Sequence, residues 1–217
     1  MRRPLYQFIK YHAPQMTGNV ADVGCGSKPY RQFFTGVEKY TGYDMANEGH
    51  SHDNENIDVL FDGKTIPATD GSYDGAISSE VLEHVFWPGE WLDEINRILK
   101  PGSSFLITCP FMFHEHEVPN DYGRYSSFGL KYLLEQHGFE ITDQQKAAPG
   151  LRCVLLQWNV LWWKAFEKVL PKPIAFVLSW FFFFPANILG LLFGWLWNSS
   201  HSFYAGNMVL CKKIARP

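Results

Sequence analysis

An α/β fold built on a doubly wound sheet is what this sequence predicts, and three observations predict it. Short apolar runs alternate with stretches of helical periodicity along most of the chain. The first run, Asn19 to Val23, ends in Gly24-Cys25-Gly26, as a buried strand closing on a glycine turn does. The next run, Lys39 to Tyr43, ends on an acid, Asp44.

Taken in order, residues 4–12 read as a short helix. After the first strand, Pro29 to Phe34 is expected to open a helix. Asp58 to Phe61 is a third short strand and Tyr73 to Ser78 a fourth, with a helix beginning over Glu80 to Phe86. Pro88 to Leu99 is helical, because Trp91, Leu92, Ile95, Ile98 and Leu99 recur near 3.6-residue spacing. Lys100-Pro101-Gly102 is a stop and turn, and Ser104 to Cys109 a fifth strand. Ser127 to His137 is a helix with Gly138 as its C-terminal signal. Phe139 to Gln145 is a sixth strand and Ala205 to Lys212 the last. The whole chain, 1–217, is read as one domain, with residues 151–202 as an aromatic-rich helical insertion before the last strand.

The net charge of −3 offers no basic field, so nucleic acid is excluded as a partner class. Cys25, Cys109, Cys153 and Cys211 form no CxxC, which argues against a disulfide framework or zinc site and fits a reducing compartment. Six of the eight Trp lie between Trp158 and Trp197, so the last third differs in composition from the rest.

Glycines at positions 24 and 26 allow a backbone to approach a ligand without a Cβ in the way. A carboxylate at the end of the next strand suits the two hydroxyls of a ribose, and Asp44 stands there. Pro29 occupies the region where a dinucleotide fingerprint needs its third glycine, which disfavours NAD and FAD. Further segments follow in a fixed order: Phe61-Asp62-Gly63, then Tyr73-Asp74-Gly75-Ala76-Ile77-Ser78-Ser79-Glu80-Val81-Leu82-Glu83-His84-Val85, then Leu99-Lys100-Pro101-Gly102-Ser103. With Asp22-Val23-Gly24-Cys25-Gly26 in front, the set resembles the class I S-adenosylmethionine-dependent methyltransferases, in the broad group with the type 11 domain. The resemblance covers about residues 18–145 and the closing strand.

It implies a seven-stranded Rossmann-like methyltransferase sheet and S-adenosyl-L-methionine as cofactor. Asp22, Gly24, Cys25 and Gly26 would then form the first motif, with Asp22 orienting the loop or meeting the methionine end. Asp44 would hold the ribose, Asp62 and Gly63 would meet the adenine amino group, and Ser79 and Glu80 would close the cofactor side. Met45 is placed to pack on the adenine or in the core. Glu83-His84 reads as part of the cofactor-side helix rather than a catalytic pair, and a solvent-facing placement is the alternative for the charged Glu80 and Glu83.

The segment from Cys109 to Tyr125 follows a strand's carboxyl end, where open α/β sheets bind ligands. It concentrates polar groups: His114, Glu115, His116, Glu117, Asp121, Tyr122, Arg124 and Tyr125. The order His116, Pro119, Asp121, Tyr122, Arg124, Tyr125 is similar to a pattern in some methyltransferases of envelope sugars and lipids. That likeness makes His116, His114 and Asp121 the catalytic candidates, and Tyr122, Arg124 and Tyr125 the acceptor-side ones. Imidazole is a general base near neutral pH. Asp121 and Arg124 have a structural pairing as their alternative. No metal is expected, because no third His follows His114 and His116 at a motif spacing.

Pro173 to Cys211 contains no Asp, Glu, Lys or Arg. A helix over the 24 residues from Ile174 to Trp197 would be about 36 Å long, enough for a bilayer core of about 30 Å. Pro185 is expected to kink or break it. If the flanking strands pair in one sheet, both ends of the insertion return to one side of any membrane. Cys153 to Trp163 would be about 16 Å as helix, too short to cross. A monotopic attachment through residues 153–200 therefore follows, on the cytoplasmic side, with Trp158, Trp162, Trp163, Trp195 and Trp197 at headgroup level and Gln157, Lys164 and Lys168 on a polar stripe.

The expected activity is O-methylation of a membrane-associated glycan, a lipid-linked sugar or a lipid-like acceptor. Two alternatives stand beside it. One is a non-catalytic cofactor-binding or scaffolding protein at a membrane. The other is a soluble small-molecule methyltransferase whose insertion is a lid or a homodimer interface.

Overall fold

The computed structural model describes residues 2–45, 56–194 and 202–214. Seven strands form one sheet in the order β3-β2-β1-β4-β5-β7-β6. They are β1 (Gly18–Val23), β2 (Val37–Met45), β3 (Val59–Phe61), β4 (Tyr73–Ser79), β5 (Leu99–Pro110), β6 (Phe139–Ala147) and β7 (Gly206–Lys213). Pairs β1–β2, β1–β4, β2–β3 and β4–β5 are parallel. The Ala205 N–H reaches the Ala147 carbonyl and the Ile214 N–H reaches that of Gly138, so β6 and β7 run antiparallel. Ligands bind at the switch point of such a sheet, where the order reverses between β1 and β4.

Central strands are apolar on both faces because helices cover both. Val20, Ala21, Ala76, Ile77, Phe105, Leu106 and Ile107 are all buried. Helix α1 (Arg2–His12) buries Leu5, Phe8 and Ile9, and its His12 Nε2 lies 2.9 Å from Asp143 Oδ2 on β6. Helix α2 (Pro88–Ile98) buries the predicted stripe of Trp91, Leu92, Ile95 and Ile98. Helix α3 (Ser127–Gln136) is capped by Ser126, whose hydroxyl accepts the Gly129 N–H at 3.1 Å. The four described cysteines are all free and buried.

Three local expectations change. Pro29 to Phe34 forms only a 3₁₀ turn at Arg31–Phe33, and Glu80 to Phe86 only one at Leu82–His84. Both segments are loops after parallel strands, where the chain spends its polar groups on the site instead of on a helical ladder. The Lys100-Pro101-Gly102 stop is absorbed into β5 itself. Tyr73 pairs with Leu99 and Gly75 with Ser104, so residues 100–103 bulge out of the ladder, with Gly102 at φ +78°.

Contacts divide the described chain into two compact units. The larger holds Arg2–Pro110, Glu115–Gln145 and Asn207–Pro217; the smaller holds Phe111–His114 and Lys146–Gly206. In the smaller unit, helix α4 (Leu151–Val169) and helix α5 (Lys172–Phe193) form an antiparallel hairpin. Trp162 stacks on Phe182 at 4.9 Å, and the Asn159 amide donates to Asn187 Oδ1 at 3.0 Å. These two contacts bracket Pro185, and α5 runs through it unbroken. The proline's lost hydrogen bond is outweighed by packing on either side of it, which corrects the expected break. Helix α4 is longer than its apolar stretch, but it carries Arg152, Lys164, Glu167 and Lys168. Among the described residues, α5 alone is long and apolar enough to cross a bilayer. Of the five tryptophans expected at headgroup level, Trp195 and Trp197 lie outside the described residues.

Candidate active site

At the carboxyl ends of β1, β2 and β4 the larger unit encloses a cavity of about 660 Å³. Its walls include Gly24, Cys25, Gly26, Asp44, Met45, Asp62, Gly63, Ser79 and Glu80. Nine of the ten residues predicted to hold a cofactor therefore meet in one cavity of ligand size.

The turn after β1 is pinned to β2 by its own backbone. The Tyr43 carbonyl accepts the N–H groups of Gly24 at 2.8 Å and Cys25 at 3.1 Å. The Gly26 N–H reaches Asp44 Oδ2 at 2.7 Å, and the Met45 N–H reaches Asp44 Oδ1 at 2.8 Å. Each carboxylate oxygen keeps a further lone pair for a ligand hydroxyl. Gly24 has φ +77°, and a Cβ there would stand 2.3 Å from Val81 Cγ2. On the opposite wall Gly63, at φ +75°, leaves room for Met45; a Cβ would meet its Sδ at 2.3 Å. Met45 therefore lines the cavity instead of filling the core. Asp62 holds its own turn, its Oδ1 accepting the N–H groups of Lys64 at 2.8 Å and Thr65 at 3.0 Å.

Asp22 lies behind this wall, buried, and accepts the Tyr40 hydroxyl at 2.6 Å. Burial pushes its carboxyl up to about 7 against the pull of that hydrogen bond. It is not among the residues that line the cavity, and its hydrogen bond ties the end of β1 to β2.

Glu80 and Glu83 do not face solvent. Glu80, at φ +57°, turns its carboxylate to the Thr108 hydroxyl at 2.9 Å, and burial pushes it up to about 7. Glu83 is 0% exposed; burial and then the nearby Glu80 push it up to about 9. The solvent-facing alternative fails because the chain after β4 makes a 3₁₀ turn that buries Leu82 and Glu83.

The polar segment after β5 divides between the units. His114 belongs to the smaller one, its ring 4.4 Å from Phe113. His116, Asp121, Tyr122, Arg124 and Tyr125 belong to the larger. Arg124 grips Asp121 with both terminal nitrogens, one at 2.6 Å, and this ion pair holds the Asp121 carboxyl down at about 2. Asp121 Oδ2 also accepts the His116 N–H at 2.9 Å. The pairing is structural, and it frames His116. Of the acceptor-side candidates, Tyr122 lines the cavity, while Tyr125 packs against the core and gives its carbonyl to Asn207 at 2.7 Å.

Sequence reasoning missed several wall residues. His84, Phe86 and Trp87 line the cavity, with the Tyr122 ring 5.1 Å from that of Phe86. The adjacent aromatic pair just before the helix-starting Pro88 was the available signal. Lys28 was also missed. At φ +53° it pairs with Asp58 at 2.7 Å, and the Gly42 N–H reaches the same Asp58 oxygen, bracing the floor of the turn.

A seven-stranded sheet with an antiparallel last pair, a glycine turn after β1 and an acid ending β2 defines the class I S-adenosylmethionine-dependent methyltransferases. The chain belongs to the methyltransferase-domain family, whose model matches residues 1–144. An uncharacterized methyltransferase of Mycolicibacterium gilvum is 31% identical over 152 residues, 61% of this chain and 59% of that one. The O-methyltransferase cnsE of Penicillium expansum is 25% identical over 168 residues, 64% of this chain and 58% of that one. The chain thus spans a little over half the length of these curated relatives. In fold it is similar to the Haemonchus contortus phosphoethanolamine N-methyltransferase 2, solved with S-adenosyl-L-methionine, at a TM-score of 0.60 and 16% identity, over 98% of this chain and 52% of that one. S-adenosyl-L-methionine is the cofactor of this family, and the cavity fits it: two glycines where a Cβ would close the space, and a carboxylate at the ribose position.

Replacing Asp44 by Ala is expected to weaken S-adenosylmethionine binding by about 1–3 kcal/mol, because hydroxyls lose their acceptor. Calorimetry checks this, and unchanged affinity would remove Asp44 from the site. A second outcome concerns pH. Asp22, whose surroundings are Tyr40, Asp44, Lys28 and Asp58, has its folded value raised from 3.8 to about 7. Its contribution to stability is therefore full below about pH 4 and is lost as pH rises toward 7, at up to about 1.4 kcal/mol per pH unit. Asp22→Asn retains an acceptor for Tyr40 and should flatten that part of the profile in urea unfolding. Identical slopes in both proteins would contradict the buried, protonated carboxyl.

Proposed function

We infer that the protein transfers a methyl group from S-adenosylmethionine to an oxygen of a lipid-linked sugar, an envelope glycan or another lipid-like acceptor, working at the cytoplasmic face of a membrane. When bound, the cofactor supplies an electrophilic methyl on a sulfonium. The chain's own residues do the rest. Gly24 and Gly26 admit the cofactor close to backbone, Asp44 takes ribose hydroxyls, Met45 and Asp62 flank the adenine, and Glu80 borders the far side. Much of the rate of a direct displacement comes from holding the nucleophile in line, which rigid walls supply. His116, held by Asp121, acts on the acceptor side, and Tyr122, Phe86 and Trp87 give that side an apolar rim.

The observation that carries the membrane part is the bare face of α5. Trp180, Phe181 and Phe184 are 60%, 73% and 56% exposed, in a helix without an acidic residue. A patch of this kind needs a cover. The polar stripe of α4, with exposed Lys164 and Lys168, and Lys172 at the start of α5 suit anionic headgroups. Because β6 and β7 are neighbours in the sheet, the hairpin between them leaves and re-enters on one side. Oxygen as the acceptor atom is supported by the Penicillium relative's name.

Incubating the protein with methyl-labelled S-adenosylmethionine and fractionated lipids and glycans should place label in a lipid-extractable fraction. The label should come off with the chemistry of an ether or ester. Label appearing only in water-soluble small molecules would favour the soluble enzyme, and binding without turnover would favour a scaffold. Replacing Phe181 to Phe184 by Ser should release the protein from vesicles, since each buried Phe contributes about 1.5–3 kcal/mol, while cofactor affinity stays unchanged. A parent protein that sediments as a monomer or dimer without detergent and ignores vesicles would assign the face to a lid or dimer.

A further inference from the structure

Beside the cavity, three side chains converge: Glu83, His84 and His116. His84 Nε2 and His116 Nε2 each lie 3.8 Å from Glu83 Oε1, and the two imidazole rings stand 4.8 Å apart, edge to face. One donor atom from each residue falls within 4.8 Å of the other two. Glu83 is 0% exposed, and among the described residues neither carboxylate oxygen has a hydrogen-bonding partner apart from its own backbone N–H. A buried carboxylate in that condition costs several kcal/mol unless it keeps a proton or a cation takes the proton's place.

The two imidazoles are set as ligands are. His84 Nδ1 is 2.6 Å from the Asn120 carbonyl, which fixes the Nδ1–H tautomer and turns a lone pair on Nε2 toward Glu83. His116 Nδ1 is 3.4 Å from Asp121 Oδ2, a carboxylate behind an imidazole, which again leaves Nε2 forward. Glu117 Oε2 lies 3.7 Å from His84 Nε2, adding a further acid at the rim. Among the described residues, the cation that bears on Glu83 is Arg124, already gripped by Asp121. The local field therefore favours a cation.

We propose that Glu83, His84 and His116 bind one divalent transition-metal ion of the zinc, cobalt or iron(II) kind. Two neutral imidazoles and one carboxylate form the donor set those ions prefer over magnesium or calcium. Three protein ligands leave coordination positions open, and His84 lines the cavity, so a bound ion has room to take an acceptor oxygen there. The set differs from the one a motif search weighs, because it joins the turn after β4 to the segment after β5 across 32 residues of sequence, from His84 to His116.

The test is a titration of the full chain, freed of metal by a chelator, with Zn²⁺ and with Co²⁺ alone. One ion per chain should bind, the cobalt form should show the d–d absorption of a nitrogen- and oxygen-ligated ion, and the thermal midpoint should rise with Zn²⁺. His116→Ala and Glu83→Gln should each lower affinity by at least the roughly 10–100-fold that outer-sphere changes alone cost, and should abolish the thermal shift. If Glu83→Gln fails to fold, His116→Ala carries the comparison. His137→Ala, which alters a histidine at the end of α3 that pairs with Asp93 on α2, should bind as the parent does. No stoichiometric ion in the parent, or equal affinity in parent and His116→Ala, overturns the site. Methyl transfer is not read in this experiment, so its failure leaves the proposed function untouched.

Discussion

The Tyr43 carbonyl and the Asp44 carboxylate together decide the shape of the site. Between them they accept three successive N–H groups, from Gly24, Cys25 and Gly26. The turn leaving β1 is thus stitched to the end of β2, and the backbone there cannot move without breaking charge-assisted and ladder hydrogen bonds at once. Everything lining the cavity is referenced to that stitch. Val81 presses on Gly24, Met45 extends from Asp44 toward Gly63, and Lys28 reaches from the turn to Asp58 behind it. A site assembled in this way is preorganised, and its cost in buried polar groups is met by hydrogen bonds within the loop.

The acids behind and beside the cavity follow a different logic. Asp22 is buried, and burial outweighs the pull of the Tyr40 hydroxyl, so it holds its proton near neutrality at the end of β1. Glu83 has no such neighbour and two histidines in front of it. Burial alone separates their roles from that of Asp44, which is open to the cavity and keeps room to accept from a ligand. The apolar hairpin of α4 and α5 is held by aromatic stacking such as that of Trp162 on Phe182, while Trp180, Phe181 and Phe184 stay exposed.

Most of the fold was legible because the strands carry their own signals: apolar runs, the glycine turn and the acid ending β2. The cofactor wall was legible for the same reason, since residues that meet a common ligand sit at fixed strand ends. What could not be read were features set by contacts distant in sequence. The inward turn of Glu80 and Glu83 depends on Thr108 and on the segment of Asn120. A helix was expected over that stretch, with solvent-facing acids only as an alternative, and the pairing of His84 with His116 was invisible for want of a spacing. Pro185 misled in the opposite direction. A local rule predicts a break there, and packing of Phe182 and Asn187 against α4 overrides it.

The account's central claim is that the stitched turn and Asp44 form the cofactor site of a methyltransferase. A crystal structure of the protein grown with S-adenosylhomocysteine tests it most directly. The account predicts the ribose hydroxyls on the Asp44 carboxylate, the adenine between Met45 and the Asp62–Gly63 turn, and the amino acid end over Gly24 and Gly26. A ligand bound elsewhere, or a turn that must rearrange away from Tyr43 to admit it, would contradict the claim.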